Sequence, residues 1–259
     1  MRYFVRLSYV GTAYCGFQWQ PRQMTVQEAL NRACKAMFGV TCAVTGCSRT
    51  DSGVHAEDFC MTIDVPTGGA AVPAAALPRA MLAHLPPDIS IFHAEEADDT
   101  FHARYDVLEK EYRYRIYTAP LPDPFLVDRV WHYPYPLRSD ALDRMHRAAA
   151  HLVGTHDFSA FKSDDGIEKD PVRTVSALSV KQDGAHITVS VTADGFLYHM
   201  VRIITGTLMD VAVGRMEIDH VKTALASKTR RLAGVTAPPS GLYLHRVTYK
   251  RAPMLTNAP

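Results

Sequence analysis

Long hydrophobic runs and charge of one sign are both missing from this 259-residue chain. No apolar run approaches the roughly 20 residues of a membrane-spanning helix, and residues 1–6 are too short and polar a start for a signal peptide. The chain is therefore predicted to be cytoplasmic. Its formal net charge is only +1, so no global basic field indicates nucleic acid.

Recognisable cofactor, metal and redox motifs are also lacking. The sequence has no P-loop, no dinucleotide-binding glycine pattern and no nucleophile elbow, although a dispersed Ser-His-Asp arrangement stays open. Its five cysteines all lie in the first quarter, and none has C-x-x-C or zinc-ligand spacing. Reduced, mostly buried thiols are predicted, with a catalytic Cys47 beside Arg49 as the alternative.

The sequence instead contains one order of elements twice. Thr25 and Glu28 form a capping box for a helix in the first half. The elements predicted there are strands at 3–9, 40–45, 57–65 and 89–94 and helices at 26–37 and 75–84. In the second half Ser139 is predicted to cap a helix, and Asp183-Gly184 to close a hairpin. The other elements there are strands at 105–117, 174–182, 185–193 and 242–250 and helices at 196–213 and 219–227.

This repetition predicts an α+β fold of two tandem split βαββαβ units, similar to ferredoxin and RNA-recognition domains, whose sheets join into a continuous mixed sheet. In such units helices cover one sheet face and leave the other open. The boundary is expected near residues 95–104. We therefore predict an N-terminal domain at 1–100 and a C-terminal domain at 101–259, with a proline-rich connection at 118–138.

Asp51, in the loop between two predicted strands of the first half, is the first candidate for chemistry. A bare aspartate in a glycine-flanked loop is typically a turn residue. Here Arg49 precedes it by two positions, so an extended segment projects the cation and the carboxylate to the same side. The pair indicates a single-carboxylate site at one opening.

Arg202 is the second candidate because it interrupts an apolar helix. Residues 200–209 are apolar on nearly every face, so this helix is predicted to be buried. An arginine there keeps its charge and needs a partner, for which a carboxylate is the natural choice. A structural ion pair explains Arg202 equally well; our hypothesis is that its partner is Asp51.

Aromatic residues supply the remaining candidates. Tyr112 shares a strand face with Tyr114, while Arg113 and Arg115 take the other face. RNA binding and a plain aromatic core both explain this pattern, and the same two readings apply to residues 16–20, Gly-Phe-Gln-Trp-Gln. Three histidines have either acid-base or structural roles: His55, His102 and His199.

Six segments together resemble the tRNA pseudouridine synthase A family. The most specific, residues 46–56, reads Gly-Cys-Ser-Arg-Thr-Asp-Ser-Gly-Val-His-Ala and is similar to the active-site signature of that family. The other segments are residues 9–18 with 25–27, 101–104, 112–114, 199–202, and 236–238 with 241–244. Their order along nearly the whole chain makes the resemblance specific.

The resemblance implies an isomerase with the pseudouridine synthase fold. It implies conversion of uridine to pseudouridine at positions 38, 39 and 40 of the tRNA anticodon stem-loop, by a homodimer that needs neither cofactor nor metal. Asp51 matches the essential aspartate, and Arg202 matches its basic partner. Arg49 matches the base-flipping arginine, and Tyr112 the tyrosine that packs on the target base. Substrate binding is expected of Arg49, Tyr112, Arg104 and His55.

The chain departs from the family pattern at three positions. Val10, Phe17 and Ser48 replace the usual Asp, Trp and Gly, which weakens inferences about local RNA contacts. Two other functions stay open from the residues alone. A non-catalytic RNA-binding protein would lack the aromatic strand of single-strand RNA sheets, and a nucleoside or glycoside hydrolase would lack its paired carboxylates.

Overall fold

The computed structural model describes residues 1–164, 166 and 170–253. The chain forms two compact units: unit 1 consists of Met1–Leu108 with Tyr243–Pro259, and unit 2 of Glu109–Leu242. In chain order the first elements are β1 (Arg2–Tyr9), α1 (Val26–Phe38), β2 (Ala43–Gly46), β3 (His55–Asp64), α2 (Leu77–Met81) and β4 (Ile89–Glu96). They are followed by β5 (Val107–Tyr117), β6 (Trp131–His132), α3 (Ala141–Ala150), β7 (Gly154–Asp157), β8 (Val172–Asp183), β9 (His186–Ala193), α4 (Met200–Ala212), α5 (His220–Ser227) and β10 (Leu242–Tyr249).

Unit 1 has the predicted βαββαβ order. Its strands pair antiparallel in the order β4-β1-β3-β2, which is the arrangement of a split βαβ unit, and β10 adds to β3 in parallel. Thr25 caps α1 as predicted, because its side chain accepts the Glu28 N–H at 3.1 Å. The hydrogen bond that Thr25 contributes to the capping box is therefore formed, whereas the Glu28 carboxylate accepts a hydrogen bond from Arg32.

The core of unit 1 lies between its sheet and its helices. Buried and half-buried residues alternate in β1 from Val5 to Tyr9, whereas β3 is buried along nearly its whole length. The apolar residues with no exposed surface on these strands are Tyr3, Val5, Leu7, Phe59, Met61 and Ile63. From α1 the apolar face contributes Val26, Leu30, Ala33, Cys34 and Phe38. This core supports the loop between β2 and β3.

Unit 2 contains the second set of elements except its last strand, because β10 from Tyr243 onward belongs to unit 1. Its strands pair antiparallel in the order β5-β9-β8-β7, and β6 adds to β5 in parallel. The hairpin predicted at Asp183-Gly184 is confirmed, with β8 ending at Asp183 and Gly184 at a φ of +54°. The α+β fold class is confirmed, whereas the boundary between residues 100 and 101 stays a prediction.

Some local predictions were wrong. Helix α3 begins at Ala141 after Asp140, not after Ser139, and the Asp140 carboxylate accepts from Arg138 Nε at 2.9 Å. Helix α4 begins at Met200, four residues later than predicted, because His199 adopts a left-handed φ of 62°. Strands β6 and β7 were not predicted; both are short and carry no apolar alternation.

Candidate active site

Asp51 lies in the loop between β2 and β3, and buried hydrogen bonds hold this loop. The Tyr9 hydroxyl and Thr50 Oγ1 lie 2.8 Å apart, and the Phe17 N–H donates to the Thr50 carbonyl at 3.1 Å. The Val54 N–H donates to the Asp51 carbonyl at 3.2 Å, which closes a turn at Asp51. The loop is therefore tied into unit 1 and is more than a solvated connection.

Two glycines allow the 9–18 segment to approach the Asp51 loop. A Cβ on Gly11 would lie 1.9 Å from the Val54 carbonyl oxygen, and a Cβ on Gly16 would lie 2.7 Å from that of Thr50. Gly16 also has a φ of +83°, which L-residues rarely adopt. The segment that resembles the first family motif is thus a scaffold for the loop that resembles the active-site signature.

The predicted projection of Arg49 and Asp51 agrees with their burial. Thr50 is 7% exposed, whereas Arg49 before it is exposed and Asp51 after it is half-buried. Adjacent side chains of an extended segment point to opposite sides, so Arg49 and Asp51 share the outer side. Within the part of the chain that the structure describes, no hydrogen bond or ion pair engages the Arg49 guanidinium, which leaves it available to an anionic ligand.

His55 is placed in the interior of unit 1. It is 0% exposed, its Nδ1 accepts the Gly11 N–H at 3.0 Å, and its ring stacks on Tyr243 with centroids 4.7 Å apart. These contacts fix the start of β3, directly after the Asp51 loop. They favour a scaffolding role, and the predicted contact of His55 with substrate finds no support in this position.

Arg104 is half-buried in a turn whose next residue, Tyr105, is exposed. Asp106 fixes the turn: its carboxylate accepts the His102 N–H at 2.9 Å and pairs with Arg251 at 2.9 Å. The hydrogen bond from His102 and then the Arg251 guanidinium lower the pKa of Asp106 below its usual value. The structure thus supports a rigid surface turn, and the role of Arg104 in substrate binding stays a prediction.

Tyr112 and Tyr114 lie on the helix-covered face of the unit 2 sheet, as the alternation of β5 predicts. Tyr112 is 6% exposed and meets the edge of Phe196, with ring centroids 4.9 Å apart. The Tyr114 hydroxyl donates to the Pro238 carbonyl at 2.6 Å. Burial raises the pKa of Tyr114, and the positive charge of Arg202 opposes that rise.

Arg202 is held against the 236–238 segment by a reciprocal pair of hydrogen bonds. Its Nε donates to the Ala237 carbonyl at 2.7 Å, and the Ala237 N–H donates to the Arg202 carbonyl at 3.1 Å. The rest of the 200–209 run is buried, as predicted, while Arg202 itself is half-buried. Two segments that resemble family motifs therefore meet in unit 2 and fix the direction of one guanidinium.

The other candidates have structural positions. His199 Nδ1 lies 2.9 Å from Ser163 Oγ, and its ring stacks on Tyr198. Phe17 is buried and stacks on Phe59, whereas Trp19 is 51% exposed, so only Trp19 of that pair presents a surface ring. The prediction of reduced, mostly buried cysteines is confirmed, and Cys47 is 0% exposed, which disfavours it as a nucleophile.

Residues 1–164, 166 and 170–253 lack both a metal-binding cluster and a membrane-spanning helix. That part of the chain contains no group of three or more His, Cys, Asp or Glu side chains placed to hold a metal ion. Nor does any helix in it have the length and apolar character to cross a membrane.

Comparison with known proteins decides the family. The tRNA pseudouridine synthase family matches residues 7–106 and 148–250. A protein of Thermoanaerobacter sp. strain X514 called tRNA pseudouridine synthase A is 42% identical over 94% of this chain and 97% of its own length. The Bacillus subtilis protein of the same name is 41% identical over 96% of this chain and 99% of its own length.

The chain belongs to the tRNA pseudouridine synthase family.

Membership in the tRNA pseudouridine synthase family confirms the resemblance on which the functional prediction was based. It supports the predicted enzyme class, an isomerase, over the hydrolase and non-catalytic alternatives. A solved chain of a Cbf5-Nop10-Gar1 complex overlaps 92% of this chain and 49% of its own length, at a TM-score of 0.37 and 12% identity.

Several supporting residues of this tRNA pseudouridine synthase family member were missed in the sequence. Tyr9 holds the Asp51 loop through Thr50, and the Tyr14 carbonyl accepts a hydrogen bond from Ser52 Oγ at 3.2 Å. Their segment was recognised by resemblance, but its contacts join residues far apart in sequence and leave no local pattern. The contact of Phe196 with Tyr112 was missed, because Phe196 was predicted to be the first residue of a helix.

Proposed function

We propose that this chain isomerises uridine to pseudouridine at positions 38, 39 and 40 in the anticodon stem-loop of tRNA, without a cofactor. The observation that carries the proposal is the Asp51 loop, which matches the family signature and is held by buried contacts from the 9–18 segment. The relatives named tRNA pseudouridine synthase A match nearly the full chain and support the same activity.

The main chemical group that the reaction requires from the protein is one carboxylate. The C1′–N1 bond of the uridine breaks, the uracil rotates, and C5 bonds to C1′ while the C5 proton leaves. The carboxylate of Asp51 can attack C1′, attack C6 of the ring, or stabilise positive charge at C1′. It can also accept the C2′ proton if a glycal forms. All four routes require an ionised Asp51 and a site that excludes water.

Three further residues complete the proposed site. Arg202 keeps Asp51 ionised, since a nearby guanidinium favours the charged form of a carboxylate. Tyr112 braces the detached uracil and assists removal of the C5 proton. A stacked uridine costs a few kcal/mol to evert, and Arg49, exposed beside Asp51, fills the space it leaves.

The partners follow from the same proposal. The substrate is tRNA, contacted by Arg49, Tyr112 and Arg104. The active form is a homodimer, and the protein acts in the cytoplasm without a metal. The family resemblance supports these points.

The function is tested by incubating the protein with unmodified tRNA and no added cofactor. We expect carbodiimide-resistant bases at positions 38, 39 and 40, mapped by primer extension. RNA binding without such bases would indicate the non-catalytic alternative, and release of free uracil would indicate a hydrolase. Modified bases confined to other positions would contradict the proposed site of action.

Replacing Arg202 tests its proposed partnership with Asp51. Arg202→Leu removes the guanidinium and should lower turnover by at least about a hundredfold, because Asp51 then loses its stabilising cation. Arg202→Lys keeps the charge but loses the Nε bond to Ala237, so we expect partial activity. Single-turnover rates and melting temperatures of both variants are the measurements. An Arg202→Leu protein with wild-type rate and stability would exclude the pairing.

A further inference from the structure

The open face of the unit 2 sheet carries a groove of about 500 Å³. Its floor crosses three strands, because Arg115 of β5 pairs in register with Thr188 of β9, which pairs with Lys181 of β8. The 118–138 connection also lines the groove through Arg129, and the β8–β9 hairpin lines it through Asp183 and His186. Cavities of this size accommodate ligands rather than single waters.

This groove is separate from the Tyr112 and Arg202 half of the proposed site. Successive side chains of a strand point to opposite faces, so Arg115 lies on the face of β5 opposite to Tyr112 and Tyr114. Tyr112 and Tyr114 are buried on the helix-covered face, whereas Arg115 is half-buried. A ligand in the groove therefore lies on the sheet face opposite to Tyr112.

The groove combines an apolar lining from Ile116, Leu126, Val130 and Ile187 with an excess of positive charge. Three cations line it, Arg115, Arg129 and Lys181, against one carboxylate, Asp183. Lys181 is exposed, and within the described residues no ion pair or hydrogen bond engages its ammonium group. The Thr188 hydroxyl on the floor adds a group that can donate to a phosphate oxygen.

The spacing of the cations favours a chain of phosphates over a single small anion. Arg115 and Lys181 stand two strands apart, which is about 10 Å between their backbones. Arg129 lies on the 118–138 connection, so it adds a third positive charge from outside the sheet. A polyanion gains from such an arrangement because each cation neutralises a different phosphate.

We propose that this groove binds the phosphodiester backbone of the substrate tRNA, away from the target uridine. The proposal rests on the proposed function for the nature of the RNA. Binding there is sequence-independent and positions the RNA without reading its bases.

Salt dependence of tRNA binding tests the groove. In the variant Lys181→Gln, the slope of log Kd against log salt should fall by about 1. In the double variant Lys181→Gln with Arg129→Gln, the slope should fall by about 2. Affinity at low salt should fall roughly fivefold for the double variant. Lys222→Gln, an exposed lysine on α5 of the same unit, is the matched control and should keep the wild-type slope.

The outcomes separate the groove from the activity. If wild-type protein forms pseudouridine but both groove variants keep the wild-type slope, the groove proposal is overturned and the function stands. If wild-type protein forms none, the function fails, while reduced slopes still support an RNA-binding groove. An unchanged slope with an altered sedimentation coefficient would show that a second copy of the chain occupies the groove, which also overturns the proposal.

Discussion

Asp51→Asn is expected to abolish pseudouridine formation while tRNA binding survives. Asparagine keeps the size of the side chain but removes the negative charge that all four routes require. We expect the single-turnover rate to fall by at least about a thousandfold. The Kd for unmodified tRNA, measured by filter binding, should stay close to that of the wild type.

The control for this prediction is Asp99→Asn, which neutralises an exposed carboxylate in the same unit. It should leave both the rate and the Kd unchanged, so that a loss specific to Asp51 is not an effect of net charge. Turnover retained by Asp51→Asn would refute its catalytic assignment. Loss of turnover together with a lower melting temperature would instead assign Asp51 to the stability of its loop.

Local patterns in the sequence predicted most of the fold. The Thr25 cap and the Asp183-Gly184 hairpin were correct because each depends on a few adjacent residues. Ser139 was wrong as a cap because Asp140 beside it has the same propensity, and its ion pair with Arg138 cannot be read from sequence. The start of α4 was misplaced because it depends on the left-handed backbone of His199.

The sequence allowed the residues of the candidate site to be predicted, but not the hydrogen bonds that hold them in place. Asp51 and Arg49 were found from their spacing and then from the resemblance. The hydrogen bond between Tyr9 and Thr50 joins residues 41 positions apart in the sequence, and the one between Gly11 and His55 joins residues 44 positions apart. Such contacts follow from the antiparallel pairing of β1 with β3, so no local signal marks them. Because the sequence does not reveal these contacts, the internal position of His55 was not foreseen, and His55 was predicted to contact substrate.

Gly206→Ala is expected to destabilise the protein strongly, against the usual effect of this substitution in a helix. Alanine ordinarily favours a helix interior by about 1 kcal/mol over glycine. Here a Cβ would lie 1.9 Å from the Val235 carbonyl oxygen, so α4 and the 234–237 segment must separate. We expect a loss of about 3 kcal/mol and a fall in melting temperature of roughly 6–12 °C.

The same substitution should also lower activity at temperatures where the variant is folded. The 234–237 segment is bonded to α4 through Gly234 to Thr207 Oγ1 and through Ala237 to Arg202, so its displacement shifts the guanidinium that we assign to Asp51. Gly195→Ala is the matched control in unit 2. Its Cβ would meet the Arg173 Nε at 3.2 Å, at the end of a flexible side chain that can move, and both stability and rate should change little. If Gly206→Ala melts at the wild-type temperature, close packing of the 234–237 segment on α4 is disproved, and with it this account of how Arg202 is oriented.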